Sequence, residues 1–247
     1  MLTNPILLDY QSSTPCSKEV LKSMEPYWSD FFANPSSKSN LAAISASAAL
    51  EVSREKIQNY LKLTNKKVIF TSGATESNNL ALLGYARSFY KKTNTRGNII
   101  TLATEHKAVL EPLKQLEKEG FSLTEILPEE DGLISIEKLL GLIKEDTFLI
   151  SIMLANNEIG VIQPLKEIAD ICKSRNLILH SDAAQCLGYL PLELMDDNIN
   201  MITISSHKIY GPKGVGILLL DREIEISPLF WGGSQEHGLR PGTVPVP

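Results

Sequence analysis

Lys208 lies between His207, just past the apolar run Met201–Ser205, and the turn Gly211-Pro212-Lys213-Gly214. A lysine amine condenses with aldehydes, and a desolvated, cation-rich setting lowers its pKa enough to leave it nucleophilic. Lys213 does not compete as a nucleotide-binding lysine, because the stretch departs from Gly-x-x-x-x-Gly-Lys-Ser/Thr. Polar groups also follow other apolar runs. Thr71 to Ser77 is a small-residue turn entering a helical stretch. Such an N-terminus favours an anion such as phosphate, and Thr75 adds a hydroxyl donor. The same residues also suit an ordinary helix cap. Asp182 follows a buried run, where an unpaired carboxylate is costly. A protonated ring nitrogen, a cap or an ion pair would each offset that cost. His106 can stack on a flat cofactor and move protons near neutrality, or serve as a satisfied loop histidine. Asn156-Asn157-Glu158, His180 and Gln185 complete the polar residues found at run ends.

The elements that must position these groups are visible as alternating patterns. The apolar runs are Lys67–Thr71, Asn98–Ala103, Phe121–Leu127, Phe148–Leu154, Leu177–His180, Met201–Ser205 and Val215–Leu220. Most are rich in Ile, Leu and Val without polar alternation, which predicts strands buried on both faces. Helices are predicted between them over Thr75–Lys91, Ala108–Glu119, Ser135–Lys144 and Pro164–Ser174. Gly120 closes the second of these, and Pro164 suits the first turn of the last. The first ~60 residues read as more helical, broken at Thr14-Pro15 and Asn34-Pro35. Strand alternating with helix means an α/β fold with a mainly parallel sheet. In such sheets ligands bind beyond the carboxyl ends of the strands, where these polar residues fall.

The 247 residues, 43% of them hydrophobic, suffice for a sizeable core. A net charge of −5, with no basic stripe interleaved with aromatics, argues against nucleic-acid binding. The longest apolar stretches, such as Phe148–Ala155, fall short of the roughly 20 residues a membrane span needs. Met1–Asp9 lacks the positive charge of a secretory signal. Cys16, Cys172 and Cys186 have no regular spacing, which predicts free thiols in a reducing cytoplasm. No metal site is expected.

Six segments together resemble the cysteine desulfurases. They are Thr71–Ala81, Thr104–Leu110, Asn156–Gln163, Asp182–Gln185, Ser205–Gly214 and Arg240–Thr243, in family order. The resemblance implies an α/β fold of the pyridoxal 5′-phosphate (PLP)-dependent transferase type I, aspartate aminotransferase-like, with flanking helices around a mainly parallel central sheet. It implies a short N-terminal segment over residues 1–14 and a large PLP-binding domain over 15–247. On this basis Lys208 would carry the cofactor covalently and shuttle protons. His106 would stack on the pyridine ring, Asp182 would pair with its nitrogen, and Gln185 would bond its phenolic oxygen. Asn157 would reach the cofactor or the substrate carboxylate. Ala74, Thr75, Ser205 and His207 would hold the phosphate, and Thr243 would reach that of the neighbouring subunit in a homodimer. The implied reaction takes L-cysteine to L-alanine and leaves sulfur on a protein cysteine. The receivers would be a sulfur acceptor or an iron–sulfur scaffold protein, since the Gly-Pro-Lys-Gly ending is similar to that branch.

This sequence also departs from the family. Lys38-Ser39-Asn40 stands where a histidine is usual, and the chain stops at Pro247. The expectation is a C-terminally truncated form in which the small domain, its acceptor cysteine and the substrate-carboxylate arginine are absent. Cys172 reads as a buried hydrophobe, Cys186 as packing under the cofactor floor, and Cys16 as a residue at a helix cap. An apolar surface normally covered by the small domain would then be exposed. A PLP-binding remnant acting as a scaffold, or a related aminotransferase or selenocysteine lyase, stands as the alternative.

Overall fold

The computed structural model describes residues 6–195 and 198–247, so residues 1–5 of the expected N-terminal segment lie outside it. Two helices come first, α1 (Lys18–Ser29) and α2 (Leu41–Leu61). Their starts follow from side-chain caps: Ser17 Oγ accepts from Val20 N, and Asn40 Oδ1 accepts from Ala43 N. Ser17 is therefore the capping residue, with Cys16 one position outside the helix. Strands and helices then alternate: β1 (Lys66–Thr71), α3 (Ala74–Thr93), β2 (Asn98–Leu102), α4 (Lys107–Lys118), β3 (Ser122–Ile126), α5 (Ile136–Leu142), β4 (Thr147–Ser151), α6 (Leu165–Ser174), β5 (Ile178–Asp182), β6 (Met201–Ser205) and β7 (Gly216–Asp221).

The strands form one seven-stranded sheet in the order β1-β7-β6-β5-β4-β2-β3. β2, β3, β4, β5 and β6 run parallel, whereas β7 lies antiparallel between β6 and β1. Only a short irregular link with one 3₁₀ turn joins β6 to β7, too little for the crossover a parallel neighbour requires. The mainly parallel sheet with flanking helices agrees with the sequence-based expectation.

Neighbouring residues on one strand feed opposite cores. Ile99, Leu149 and Leu218 pack with α3 and α4, while Ile100, Ile150 and Leu219 pack with α5, α6 and the end of α2. Both faces are covered, which is why the strands read as unbroken apolar runs. The exception is β3, an edge strand whose Ser122 and Glu125 are exposed. Its run was apolar, but it has a partner on one side only. Pro164 sits at the N-cap of α6 rather than inside its first turn. Gly120 behaves as expected, closing α4 at φ 96° while Phe121 N donates to Leu116 O.

The other edge, β1, is sealed by side chains. Arg54 Nη1 donates to Val68 O, Gln58 Nε2 donates to Lys66 O at 2.6 Å, and Phe70 N donates to Glu236 Oε2 at 2.7 Å. Arg54 and Glu236 also pair directly through two contacts, one of them 2.8 Å. Elsewhere Trp28, Phe32, Leu41 and Trp231 expose large apolar surfaces.

Removing one partner of a buried pair leaves the other charge without compensation. Glu236→Gln is accordingly expected to lower the unfolding free energy by about 3 kcal/mol in urea denaturation, the low end for a buried pair. A loss below about 0.5 kcal/mol would mean that water replaces the carboxylate at the β1 edge.

Candidate active site

Where β1, β2, β4, β5 and β6 end, the chain encloses a cleft of about 680 Å³. Its lining includes Ala74, Thr75, His106, Asn157, Asp182, Gln185, Ser205, His207 and Lys208. Of the residues expected to hold the cofactor or act in catalysis, only Thr243 does not line this cavity. Thr243 is exposed and does not line this chain's own cleft.

Asp182 forms the floor. It is the last residue of β5 and is buried. Its Oδ2 accepts from Asn78 Nδ2 at 2.7 Å, and its Oδ1 accepts from Ala184 N at 2.9 Å. Burial raises its pKa, opposed by those two hydrogen bonds and by attraction to His106 and Lys208. Two neutral donors hold it, and it forms no ion pair among the described residues. Beneath it lies His180, which the sequence left among the polar residues at the strand end. The structure places this ring inside the sheet, fully buried, with Nδ1 2.9 Å from Ser151 Oγ and Nε2 3.4 Å from Thr203 Oγ1. Burial pushes its pKa down to about 3, so it is a neutral spacer.

Lys208 stands at the end of a 3₁₀ turn, Ser206–Lys208, that directly follows β6. Its Nζ donates to Gln11 O at 2.5 Å and to Ser12 O at 3.0 Å. Partial burial lowers its pKa, with Asp182 and Asp9 opposing, which moves the amine toward its nucleophilic form. The N-terminal strap that receives it is held on both sides. Thr14 N donates to His207 O at 2.8 Å, and Gln185 Nε2 donates to Gln11 O at 2.9 Å. His207 Nδ1 is 3.3 Å from Ser13 Oγ, and burial together with Lys208 and Lys213 lowers the His207 pKa. His106 caps α4, its Nδ1 accepting from Ala108 N at 3.0 Å. That contact puts the neutral ring's proton on Nε2. Asn156 builds the adjacent turn, its Oδ1 accepting from Glu158 N at 2.8 Å and from Ile159 N, and leaves Asn157 on the lining.

At the other end, α3 begins at the cleft. Gly73 precedes it at φ 148° and offers no side-chain cap. A Cβ on Gly216 would lie 2.6 Å from the Gly73 backbone, so β7 starts pressed against this turn. Ser205 Oγ is buried beside it and has no hydrogen-bond partner among the described residues.

Three further groups escaped the sequence reading. Asn78 was legible only as an amide on the buried face of α3. Glu105 precedes His106 and is buried, its Oε1 accepting from Met153 N at 2.6 Å and its Oε2 without a partner among the described residues. Burial pushes its pKa well up and Asp182 adds to this, against the Met153 hydrogen bond. The third, Glu76 with its partner Arg240, joins residues 164 positions apart and has no local signal.

The folded His180 pKa lies below the unfolded value near 6.5, so acid favours the unfolded state between pH 6.5 and about 3. Relative to His180→Asn, the wild type is expected to lose about 2 kcal/mol of unfolding free energy between pH 7 and pH 5, measured by urea titration. A pH-independent difference would place the ring in contact with solvent.

The family model for aminotransferase class-V matches residues 6–240. The cysteine desulfurase IscS of Rickettsia prowazekii is 46% identical, covering 100% of this chain and 60% of its own length. A mitochondrial cysteine desulfurase of Eremothecium gossypii is 46% identical over 99% of this chain and 50% of its own length. Among solved structures, SspA in complex with cysteine superimposes with a TM-score of 0.90 at 40% identity, over 98% of this chain and 69% of that one. The chain thus spans about 60% of the length of curated relatives such as the Rickettsia protein.

Proposed function

Because the chain belongs to the aminotransferase class-V family, we propose that it forms the PLP-binding part of a cysteine desulfurase. The observation carrying this reading is one cleft that joins a lysine amine, a buried carboxylate lacking an ion pair, and an uncapped helix start. PLP fits these features at both ends. The orphaned Ser205 Oγ and the uncapped first turn of α3 suit a phosphate, with Ala74, Thr75 and His207 beside them. Asp182 lacks the cation that a protonated pyridine nitrogen supplies. Among the described residues no cluster suits a metal ion.

Bound PLP supplies an aldehyde carbon and a ring that takes up electron density from the substrate. The chain's own residues do the rest. Asp182, fixed by Asn78 and Ala184 N, would hold a proton on the ring nitrogen. Lys208 Nζ would anchor the cofactor and would move a proton at the substrate Cα. His106 would cover the ring and offer the proton on its Nε2, and Gln185 and Asn157 would orient the ring oxygen and the substrate. The carbon–sulfur bond of L-cysteine breaks. Its sulfur joins a cysteine thiol as a persulfide and the thiol proton is retained by the products, so L-alanine forms with no external oxidant.

Burial pushes the Cys172 and Cys186 thiols up to about 12, which removes both as acceptors at neutral pH. Cys16, just outside the α1 cap, lies between Thr14 and Ser17, whose amides are tied to His207 O and Tyr210 O, a poor setting for a thiol that must carry sulfur away. We therefore assign the acceptor thiol to residues other than these three. The working unit is a homodimer in which Thr243 reaches its neighbour's phosphate, in keeping with the position of Thr243 outside its own cleft. It would serve a sulfur acceptor or iron–sulfur scaffold in the cytoplasm. Among the described residues, no helix is long and apolar enough to cross a membrane.

The test is chemical. Borohydride reduction of protein loaded with PLP is expected to place a pyridoxyl group on the Lys208 peptide by mass analysis, and Lys208→Ala to abolish it. An unmodified Lys208 without aldehyde-derived absorbance would remove the reading. Sulfide release from L-cysteine by residues 1–247 alone should be at or near background. Rapid turnover by a Cys16→Ser variant would overturn the assignment of the acceptor.

A further inference from the structure

Glu76 stands in the first turn of α3 and lines the cleft at the end that suits a phosphate. A carboxylate there benefits from the helix field, but it competes with any other anion for that field and repels it. In this protein the carboxylate is fully engaged. Its Oε2 accepts from Ser72 N at 2.7 Å and its Oε1 accepts from Arg240 Nε at 2.8 Å. Arg240 Nη2 adds a weaker contact at 3.4 Å. The two side chains are largely shielded, 13% and 22% exposed. Burial pulls the Glu76 pKa up, but the Arg240 and Ser72 contacts outweigh it and the net shift is downward, consistent with an ionised group.

Arg240 is delivered by an unusual backbone. Glu236, His237 and Gly238 are consecutive left-handed residues at φ 46°, 60° and 77°. That conformation is unfavourable for residues bearing a Cβ and persists only where the surroundings over-determine it. The Arg54–Glu236 pair and the Phe70 N–Glu236 bond provide that determination at one end. At the other, Gly242 N donates to Gln235 Oε1 at 3.1 Å, and Arg240 lies 5.8 Å over the Phe230 ring.

We propose that the Glu76–Arg240 pair is a positioning element for phosphate binding: Glu76 sets the Ser72–Ala74 turn, and Arg240 cancels the charge that would otherwise repel the anion. The proposal rests on the PLP reading for the identity of that anion. Neither residue is assigned to the reacting atoms.

The experiment compares PLP with pyridoxal, which lacks the phosphate, by absorbance titration of the wild type, Arg240→Gln, Glu76→Gln and the double variant. Arg240→Gln is expected to weaken PLP binding about tenfold, the scale of one uncompensated charge near a partly buried anion. Pyridoxal binding should change less than about twofold, because it carries no phosphate charge. Glu76→Gln, whose amide oxygen can still accept from Ser72 N while the charge is removed, should bind PLP as tightly as the wild type or more so, and the double variant should regain most of the loss. Equal losses for both compounds, or no loss of PLP affinity in Arg240→Gln, would overturn the proposal. A fall in Glu76→Gln matching that of Arg240→Gln would reduce the pair to a purely structural tie. Wild-type protein that binds neither compound would remove the PLP reading and this inference with it.

Discussion

A carboxylate buried at the end of an interior strand constrains the rest of the cleft. Asp182 cannot remain ionised there without donors, since desolvation alone favours its protonated form. Each nearby element answers that demand. α3 crosses the sheet so that Asn78 reaches Oδ2, and the turn after β5 supplies Ala184 N. β6, its parallel neighbour, ends where Lys208 can attract the carboxylate without pairing with it. His180 below stays neutral because its site admits no charge. The acid end of the cleft is therefore a matter of dielectric as much as of contact.

The opposite end follows a different rule. Glycine at position 216 lets the last strand approach the Gly73 turn more closely than any Cβ would permit, and Gly73 itself takes φ 148° at the helix start. The field of α3 then acts on a small opening whose wall carries a hydroxyl with no partner among the described residues. Between the two ends stands an amine that rests on backbone carbonyls of the N-terminal strap. The strap is tied to His207 and Gln185, so it shares supports with the groups it covers.

Much of this was legible in one dimension because it depends on local pattern. Apolar runs without alternation gave strands covered on both faces, and the polar residues after them gave the lining of the cleft. Failures came where a residue's meaning depends on distant partners. Nothing around Phe121–Leu127 reveals that its strand has a neighbour on one side only. His180 precedes Asp182 by two positions, so both face the same side, yet depth in the sheet makes one a neutral spacer and the other a functional candidate. Arg54 and Glu236 lie 182 positions apart, and each alone reads as a surface charge. Capping was intermediate: Cys16 read as the cap residue, whereas the structure gives the cap of α1 to Ser17, and Pro164 moved from the first turn of α6 to its N-cap.

The sealed β1 edge has a consequence for how the molecule behaves in a crowd. An open strand edge is a template on which another chain can extend the sheet. On β1 the outward groups of Lys66, Val68 and Phe70 are already taken by Gln58, Arg54 and Glu236, so an arriving strand would have to displace a buried ion pair before making its first bond. The far edge, β3, is five residues long and carries the charge of Glu125. Growth by strand addition is thus blocked chemically on one side and discouraged by shortness and charge on the other. Self-association, where it occurs, has to proceed through exposed side chains on the helices and loops.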